Sequence, residues 1–241
     1  VKATGDIEVG GIVSGAEVEG NNILVKGGIQ GMNRGFVKAK GTLMAFFAEN
    51  AEIEAGHNVT IADVVLNSQV RAGKKVTVLG KRGQIMGGST FAGEEIEATQ
   101  IGNPANVATK LEVGVNPMVQ RQYKAVCQEY GDTKKKLDEI KKTLATLGKV
   151  DISKLPPERQ EMVAQLGKVR FQVEGQLERL LEEMDELEEK IQSMKRGRIR
   201  AADTIYPGVK LKINNVIKNI HSEEKRCTLS VEGDQIRTGA Y

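Results

Sequence analysis

Over its first hundred residues the chain repeats a short strand, a turn bearing glycine and a second strand. The copies occupy residues 18–25, 37–43, 53–61, 70–78 and 91–96, and the third and fourth align almost residue for residue. Their starts, at Val18, Val37, Ile53, Val70 and Phe91, lie 19, 16, 17 and 21 residues apart. Polarity alternates along each strand, as a half-buried strand requires, and Gly, Asn and Lys fill the turns. No helical pattern intervenes, and no single copy could bury its own apolar face. Copies of this kind fold by stacking, each coil covering the last around a thin core, which predicts a β-solenoid. A left-handed hexapeptide helix would need a strict six-residue aliphatic repeat, and the uneven spacing breaks it. We therefore expect a right-handed parallel β-helix, with a β-sandwich as the alternative.

Composition fits a narrow core. Tryptophan is absent, aromatics make up 4%, and 27 of the 241 residues are glycine, so few side chains could fill a broad two-layer interior. The net charge of +3 is the small remainder of 35 basic and 32 acidic residues, and it gives no general argument for nucleic acid or membrane. Cys127 and Cys227 form no disulfide framework, which points to a reduced, cytoplasmic compartment. No apolar run is long enough to span a bilayer and no signal peptide is present. Because the chain starts at Val1 inside an already patterned stretch, it reads as a fragment of a longer protein, and the missing targeting signal weighs little.

From Pro117 to Lys195 the pattern changes to two long helices. Near-apolar residues recur at Val119, Tyr123, Val126, Tyr130, Thr133, Leu137, Ile140, Leu144 and Leu147, in steps of four and three. They recur again at Met162, Leu166, Val169, Val173, Leu177, Leu180, Met184, Leu187, Ile191 and Met194, with one doubled step of four at Val169-Val173-Leu177. A repeat averaging about 3.5 residues marks a coiled-coil seam, and the doubled step a stutter. Gly148 suits the end of the first helix and Pro156-Pro157 the start of the second. Residues 118–149 carry eight basic and four acidic side chains, and residues 158–195 carry six and ten, so the helices are oppositely charged. Opposite charge beside a seam favours antiparallel pairing of the two, as a rod of roughly 45 Å. The alternative is a pair of helices packed in an ordinary globular core.

After the helices, Val209, Leu211 and Ile213 alternate with lysines, and two further short strands are expected near residues 216–220 and 227–231. The fold expected is therefore mainly β plus α, a right-handed parallel β-helix interrupted by a long antiparallel coiled-coil hairpin. Its domains are 1–116 solenoid, 117–197 inserted hairpin, and 198–241 return to the solenoid with capping strands. The repeating pattern is expected to lapse near Ile101-Gly-Asn-Pro104.

Candidate contact residues follow from this layout. Phe46 and Phe47 are adjacent, and on a strand one of them must point outward. Lys149, Asp151 and Lys154 stand at the tip between the helices. Arg196, Arg198 and Arg200 form a basic cluster where the second helix rejoins the strands, read chiefly as helix-end stabilisation and secondarily as an anion contact. Catalytic and metal residues are not expected: His57 occupies a turn position that Lys74 takes in the next copy, His221 has no nearby Cys or Asp, and no ligand spacing appears. The glycine pairs at 27–28 and 87–88 are not followed by a helix that could hold phosphate.

The order of glycine-punctuated coils, Ile101-Gly-Asn-Pro104, Val113-Gly-Val-Asn-Pro117, a helical hairpin, and Ile205-Tyr-Pro-Gly-Val209 resembles the bacterial flagellar assembly protein A family, formerly a domain of unknown function. The resemblance covers essentially the whole chain. It implies a β-solenoid carrying a coiled-coil insertion, with an N-terminal domain usually preceding it. By the same resemblance the expected role is a non-enzymatic scaffold or adaptor in flagellar assembly or cell-pole organisation, working in the cytoplasm through contacts with other proteins and without a cofactor. A self-assembling, cytoskeleton-like solenoid is the alternative, with homo-oligomers, and a polysaccharide-active β-helix enzyme is the weaker third reading. Nucleic acid is not expected as a partner, and membrane contact is disfavoured.

Overall fold

The computed structural model describes residues 1–32, 34–147 and 156–241. The solenoid strands are Ile7–Val9 (β1), Val13–Ser14 (β2), Val18–Gly20 (β3), Ile23–Val25 (β4), Ile29–Gln30 (β5) and Phe36–Ala39 (β6). Then follow Leu43–Glu49 (β7), Glu52–Ala55 (β8), Val59–Ala72 (β9), Lys75–Val78 (β10), Gln84–Ala92 (β11), Glu95–Ile101 (β12) and Thr109–Val113 (β13). Two helices, Pro117–Leu147 (α1) and Pro157–Lys195 (α2), precede Arg198–Ile205 (β14), Val209–Ile213 (β15), Val216–Asn219 (β16), Glu224–Glu232 (β17) and Gln235–Ala240 (β18). The chain divides into two compact units, one of residues 1–115 with 193–241 and one of residues 116–192.

The strands join in parallel ladders, three to a coil. One ladder pairs Ile23 with Leu43, Leu43 with Val59, Val59 with Val76, and the strand of Val76 with that of Ile96 and then Ile199. A second links Ile29, Ala48, Val65, Ile85, Ile101 and Ile205. The third links Val18, Val37, Ile53, Val70, Thr90, Leu111 and Leu211. Nearly every one of these residues is buried, so each ladder sends a column of aliphatic side chains up the axis. The core is narrow because it is three such columns wide, which is why it takes aliphatic side chains and no ring. This is a β-solenoid, and its sheet becomes mixed where β16, β17 and β18 pair antiparallel.

The third ladder steps by 19, 16, 17 and 20 residues. The last step corrects the sequence alignment by one: Thr90, and not Phe91, stands over Val70, so Phe91 turns outward beside Arg71. The glycine of each turn has a steric cause. A Cβ on Gly73 would lie 1.9 Å from the Gly56 carbonyl oxygen, and one on Gly93 would lie 2.2 Å from that of Gly73. Coils meet backbone to backbone at that corner, and any side chain would hold them apart.

Two expectations need correction. The pattern does not lapse at Ile101-Gly-Asn-Pro104, since β13 pairs with β11 on one side and β15 on the other. Three strands, not two, follow β15, because β17 and β18 form a hairpin through Gly233, whose φ of 63° suits a two-residue turn.

In the helical unit, every near-apolar position expected on α1 is buried or half-buried, Val126, Thr133 and Leu137 most deeply. Val126, Leu180 and Leu187 share a cluster with Val119, Tyr123, Tyr130 and Met184 packed on it. On α2, Met162 (58% exposed) and Val169 (41%) face out, while Val163, Leu166 and Val173 are half-buried. The stutter expected at Val169 therefore disappears, since Val163, Leu166, Val173 and Leu177 keep the seam in phase without it. Gln122 Nε2 donates to Glu183 and Gln176 Nε2 to Glu129, each at 3.2 Å, linking the two helices. Gly148 lies outside the described residues.

Gly73→Ala should destabilise the solenoid by about 1–3 kcal/mol, because backbone rather than a movable side chain blocks the added methyl. Urea unfolding followed by circular dichroism measures this, with Gly131→Ala on α1, where nothing lies within 4 Å, as a control expected to be neutral or stabilising.

Candidate contact surfaces

The cluster of Arg196, Arg198 and Arg200 is divided by the return of the chain to the sheet. Arg196 is exposed. Arg198 and Arg200 lie on β14, paired in register with Glu95 and Glu97 of β12. Arg198 Nη2 donates to Glu95 Oε2 at 3.1 Å, Lys75 Nζ reaches the same carboxylate oxygen at 3.1 Å, and Arg200 Nη1 donates to Glu97 Oε1 at 2.8 Å. Tyr241 donates its hydroxyl to Glu97 at 2.7 Å, and the Arg200 guanidinium lies over its ring, 4.3 Å from the centroid. Arg198 and Arg200 thus pair with acidic side chains of the sheet across the helical insertion.

Glu95 also bears on the enzyme reading. Burial alone would raise its pKa, but the hydrogen bonds and charges of Arg198 and Lys75 outweigh burial and hold the carboxyl below its ordinary value of 4.5. A glycosidase acid needs the opposite shift. His57 and His221 are both exposed, and the backbone N–H of Lys74 donates to the His57 carbonyl, placing the two on one turn column as the repeat implies. Among the described residues no group of three or more His, Cys, Asp or Glu is placed to hold a metal ion. Cys227 is buried in the solenoid, which pushes its thiol up to about 11.

Phe46 and Phe47 both face outward. The chain turns a corner between two ladders there, and register shifts between Ala45 and Phe47, so the usual alternation breaks. Phe46 is 51% exposed. The Phe47 ring lies across Gly28 of the preceding coil, where a Cβ would come within 2.1 Å of it. Leu24 pairs with Met44, Phe47 with Val64, and Leu66 with both Glu49 and Met86, so outward apolar side chains stand in three neighbouring columns around the corner. Sequence reasoning found the two phenylalanines but missed Val64, Leu66 and Met86, which sit on strands of a ladder it had not resolved. Lys149, Asp151 and Lys154 lie outside the described residues. On the helical unit, Phe171 (77% exposed), Met162 and Leu181 also stand out.

The last turn of α2 is built into the solenoid unit. Met194 is 1% exposed, Ser193 Oγ donates to Glu94 Oε1 at 3.2 Å, and Asn214 Nδ2 donates to the Lys195 carbonyl at 2.9 Å, capping the helix end. Gly197 follows, close against Val113.

The family profile of the Flagellar Assembly Protein A β-solenoid domain matches residues 1–236. The chain belongs to that family. This ties the protein to flagellar assembly and agrees with the resemblance carried by its motifs. No curated protein and no solved structure matches it significantly. No helix among the described residues is long and apolar enough to cross a membrane.

Glu95→Gln should cost about 1–3 kcal/mol by leaving Arg198 and Lys75 partly unpaired. A group whose pKa is lowered on folding stabilises the fold above its unfolded value and loses that contribution as pH falls through the folded value. Wild type should therefore lose stability as pH drops below about 4.5, and the difference from Glu95→Gln should shrink over that window in urea titrations at several pH values.

Proposed function

We propose that this protein is a non-enzymatic scaffold or adaptor of flagellar assembly or cell-pole organisation, acting in the cytoplasm through contacts with other proteins. The observation that carries this reading is the outer surface of the helical unit. Phe171 is 77% exposed and Met162 and Leu181 also face solvent there, as an element that offers contacts to a partner requires. In this reading α1 and α2 are an antiparallel coiled-coil hairpin, supported by the opposed steps of their Gln–Glu contacts. The solenoid winds right-handed, supported by the strong preference of parallel strand crossovers for that hand. Residues 1–116 and 198–241 are the base, and 117–197 the inserted contact element with its tip at Lys149, Asp151 and Lys154.

A second reading is self-assembly into a cytoskeleton-like solenoid. Against stacking beyond the last coil stands the antiparallel run of β16, β17 and β18, which interrupts the parallel ladders.

Replacing residues 116–192 by a short linker from Val115 to Ser193 tests the first reading. Gly197 lies against Val113, so the splice is short, and the shortened protein should keep its β circular dichroism and a cooperative melt. Partners captured from native cytosol by the full chain should be lost. Capture of the same partners by the shortened protein would show that the helices are not the contact element.

A further inference from the structure

The face of α2 that points away from α1 gathers several features that each cost the helix stability. Leu180, Met184 and Leu187 mark the side turned to α1. With 3.6 residues to a turn, Phe171, Glu178, Glu182 and Glu189 line up on the opposite side. Phe171 is 77% exposed there. Gly167 and Gly175 stand about one turn to either side of it, and a Cβ on either would meet nothing within 4 Å. No neighbouring atom requires glycine at these positions, and each glycine lowers helix propensity.

Beyond Phe171 this face is acidic. Glu178, Glu182, Glu186 and Glu189 are all exposed and follow one another at three- and four-residue steps, so like charges repel along the helix. Acids nearer α1 have partners: Glu174 meets Lys141 at 3.2 Å, and Glu183 accepts from Gln122. Among the described residues no hydrogen bond or ion pair engages the four outer glutamates, and Arg179 on their flank pairs with none of them. Lys168 and Arg170 lie on the other side of Phe171. A solvated helix face ordinarily mixes both signs at these spacings. Here an apolar knob between two open notches is followed by about three turns of uncompensated negative charge.

These features select the occupant. The two notches lie about 12 Å apart along the axis, which matches aliphatic side chains two turns apart on a second helix. A neutral partner would leave the repulsion among the glutamates in place, and an acidic one, a second α2 included, would increase it. The α1 helix of a second copy is basic, but its apolar seam is already buried against its own α2. We infer that this face of α2 docks a basic amphipathic helix of another protein. Its aliphatic side chains straddle Phe171, over Gly167 and Gly175, and its lysines or arginines run along Glu178 to Glu189. The inference rests on the reading of the helical unit as the contact element and adds the chemistry of what it contacts.

Fluorescence anisotropy of a labelled model helix of about 22 residues, built of leucine and lysine, titrated with the full chain to about 200 μM, tests it. Binding should saturate with a Kd on the order of 10 μM and weaken about tenfold between about 0.05 and about 0.5 M NaCl. Phe171→Ser and, separately, Glu178→Lys with Glu182→Lys should each weaken it at least about tenfold. Gly175→Leu should weaken it similarly while raising the melting temperature, a combination that misfolding does not produce. Glu17→Lys with Glu52→Lys on the solenoid, the same change in net charge, should leave affinity unchanged. Absence of saturable binding overturns the inference, as does equal binding of a leucine–glutamate helix, equal loss in the solenoid pair, or indifference to the helix variants. If the model helix fails to bind while replacing residues 116–192 still abolishes partner capture, this inference falls and the reading of the helical unit stands.

Discussion

Everything in the solenoid depends on each coil resting on the one before. A single coil offers Val, Ile or Ala on three short strands and has nothing of its own to bury them against. Stacked, the same residues form columns, such as Val18, Val37, Ile53, Val70, Thr90, Leu111 and Leu211, and the backbone bonds to the next coil along each ladder. Stability is then a sum of neighbour contacts along one dimension. This explains how the chain tolerates a long insertion. Glu95 and Arg198 are 103 residues apart, yet β14 lies on β12 as β12 lies on β10, so the column continues as if nothing intervened.

Columns of similar aliphatic residues do not by themselves say which coil follows which. A slip by one coil would put Val on Ile and Ala on Ala with little loss. The outer surface of the third ladder breaks this degeneracy. Going up its coils, Lys2, Glu19, Lys38, Glu54 and Arg71 stand in register with alternating sign, and Glu112 meets Lys212 after the insertion. The pairs Lys2–Glu19, Lys38–Glu54 and Glu112–Lys212 close at 3.0, 3.2 and 2.7 Å. Each exposed pair contributes little, roughly 0.2–1 kcal/mol, but a one-coil slip sets like charges opposite one another. Their value lies in selecting the register more than in stabilising it.

The sequence showed the repeat because two of the three strands in a coil carry period-two alternation on both sides of a glycine turn. The second ladder was illegible for a physical reason. Its strands turn a single side chain inward, Ile29, Ala48, Val65 or Ile85, and one buried residue makes no pattern. Missing that ladder meant missing the corner at Phe46, where alternation fails and both rings turn out. The heptad on α1 was fully legible, since burial there follows spacing alone. On α2 the apolar Val169 and Met162 drew the seam one residue off, because side-chain type was read where phase decides. β18 was missed because only Ile236 among its residues is buried.

The basic residues after α2 have a structural part in the solenoid. Lys195, Arg196, Arg198 and Arg200 look like a patch for phosphate, yet two of them sit on alternate positions of one strand, facing Glu95 and Glu97. Their placement answers a mechanical need. Closing a flexible excursion of roughly eighty residues costs on the order of 4 kcal/mol in chain entropy before any contact forms. Met194 in the core, the Asn214 cap on Lys195 and the arginine pairs on β12 all act within a few residues of the point where the chain resumes its coil. Contacts concentrated there oppose that cost where it arises, and they also fix the end of α2. The same residues that let the solenoid close over its insertion thus also form the end of α2.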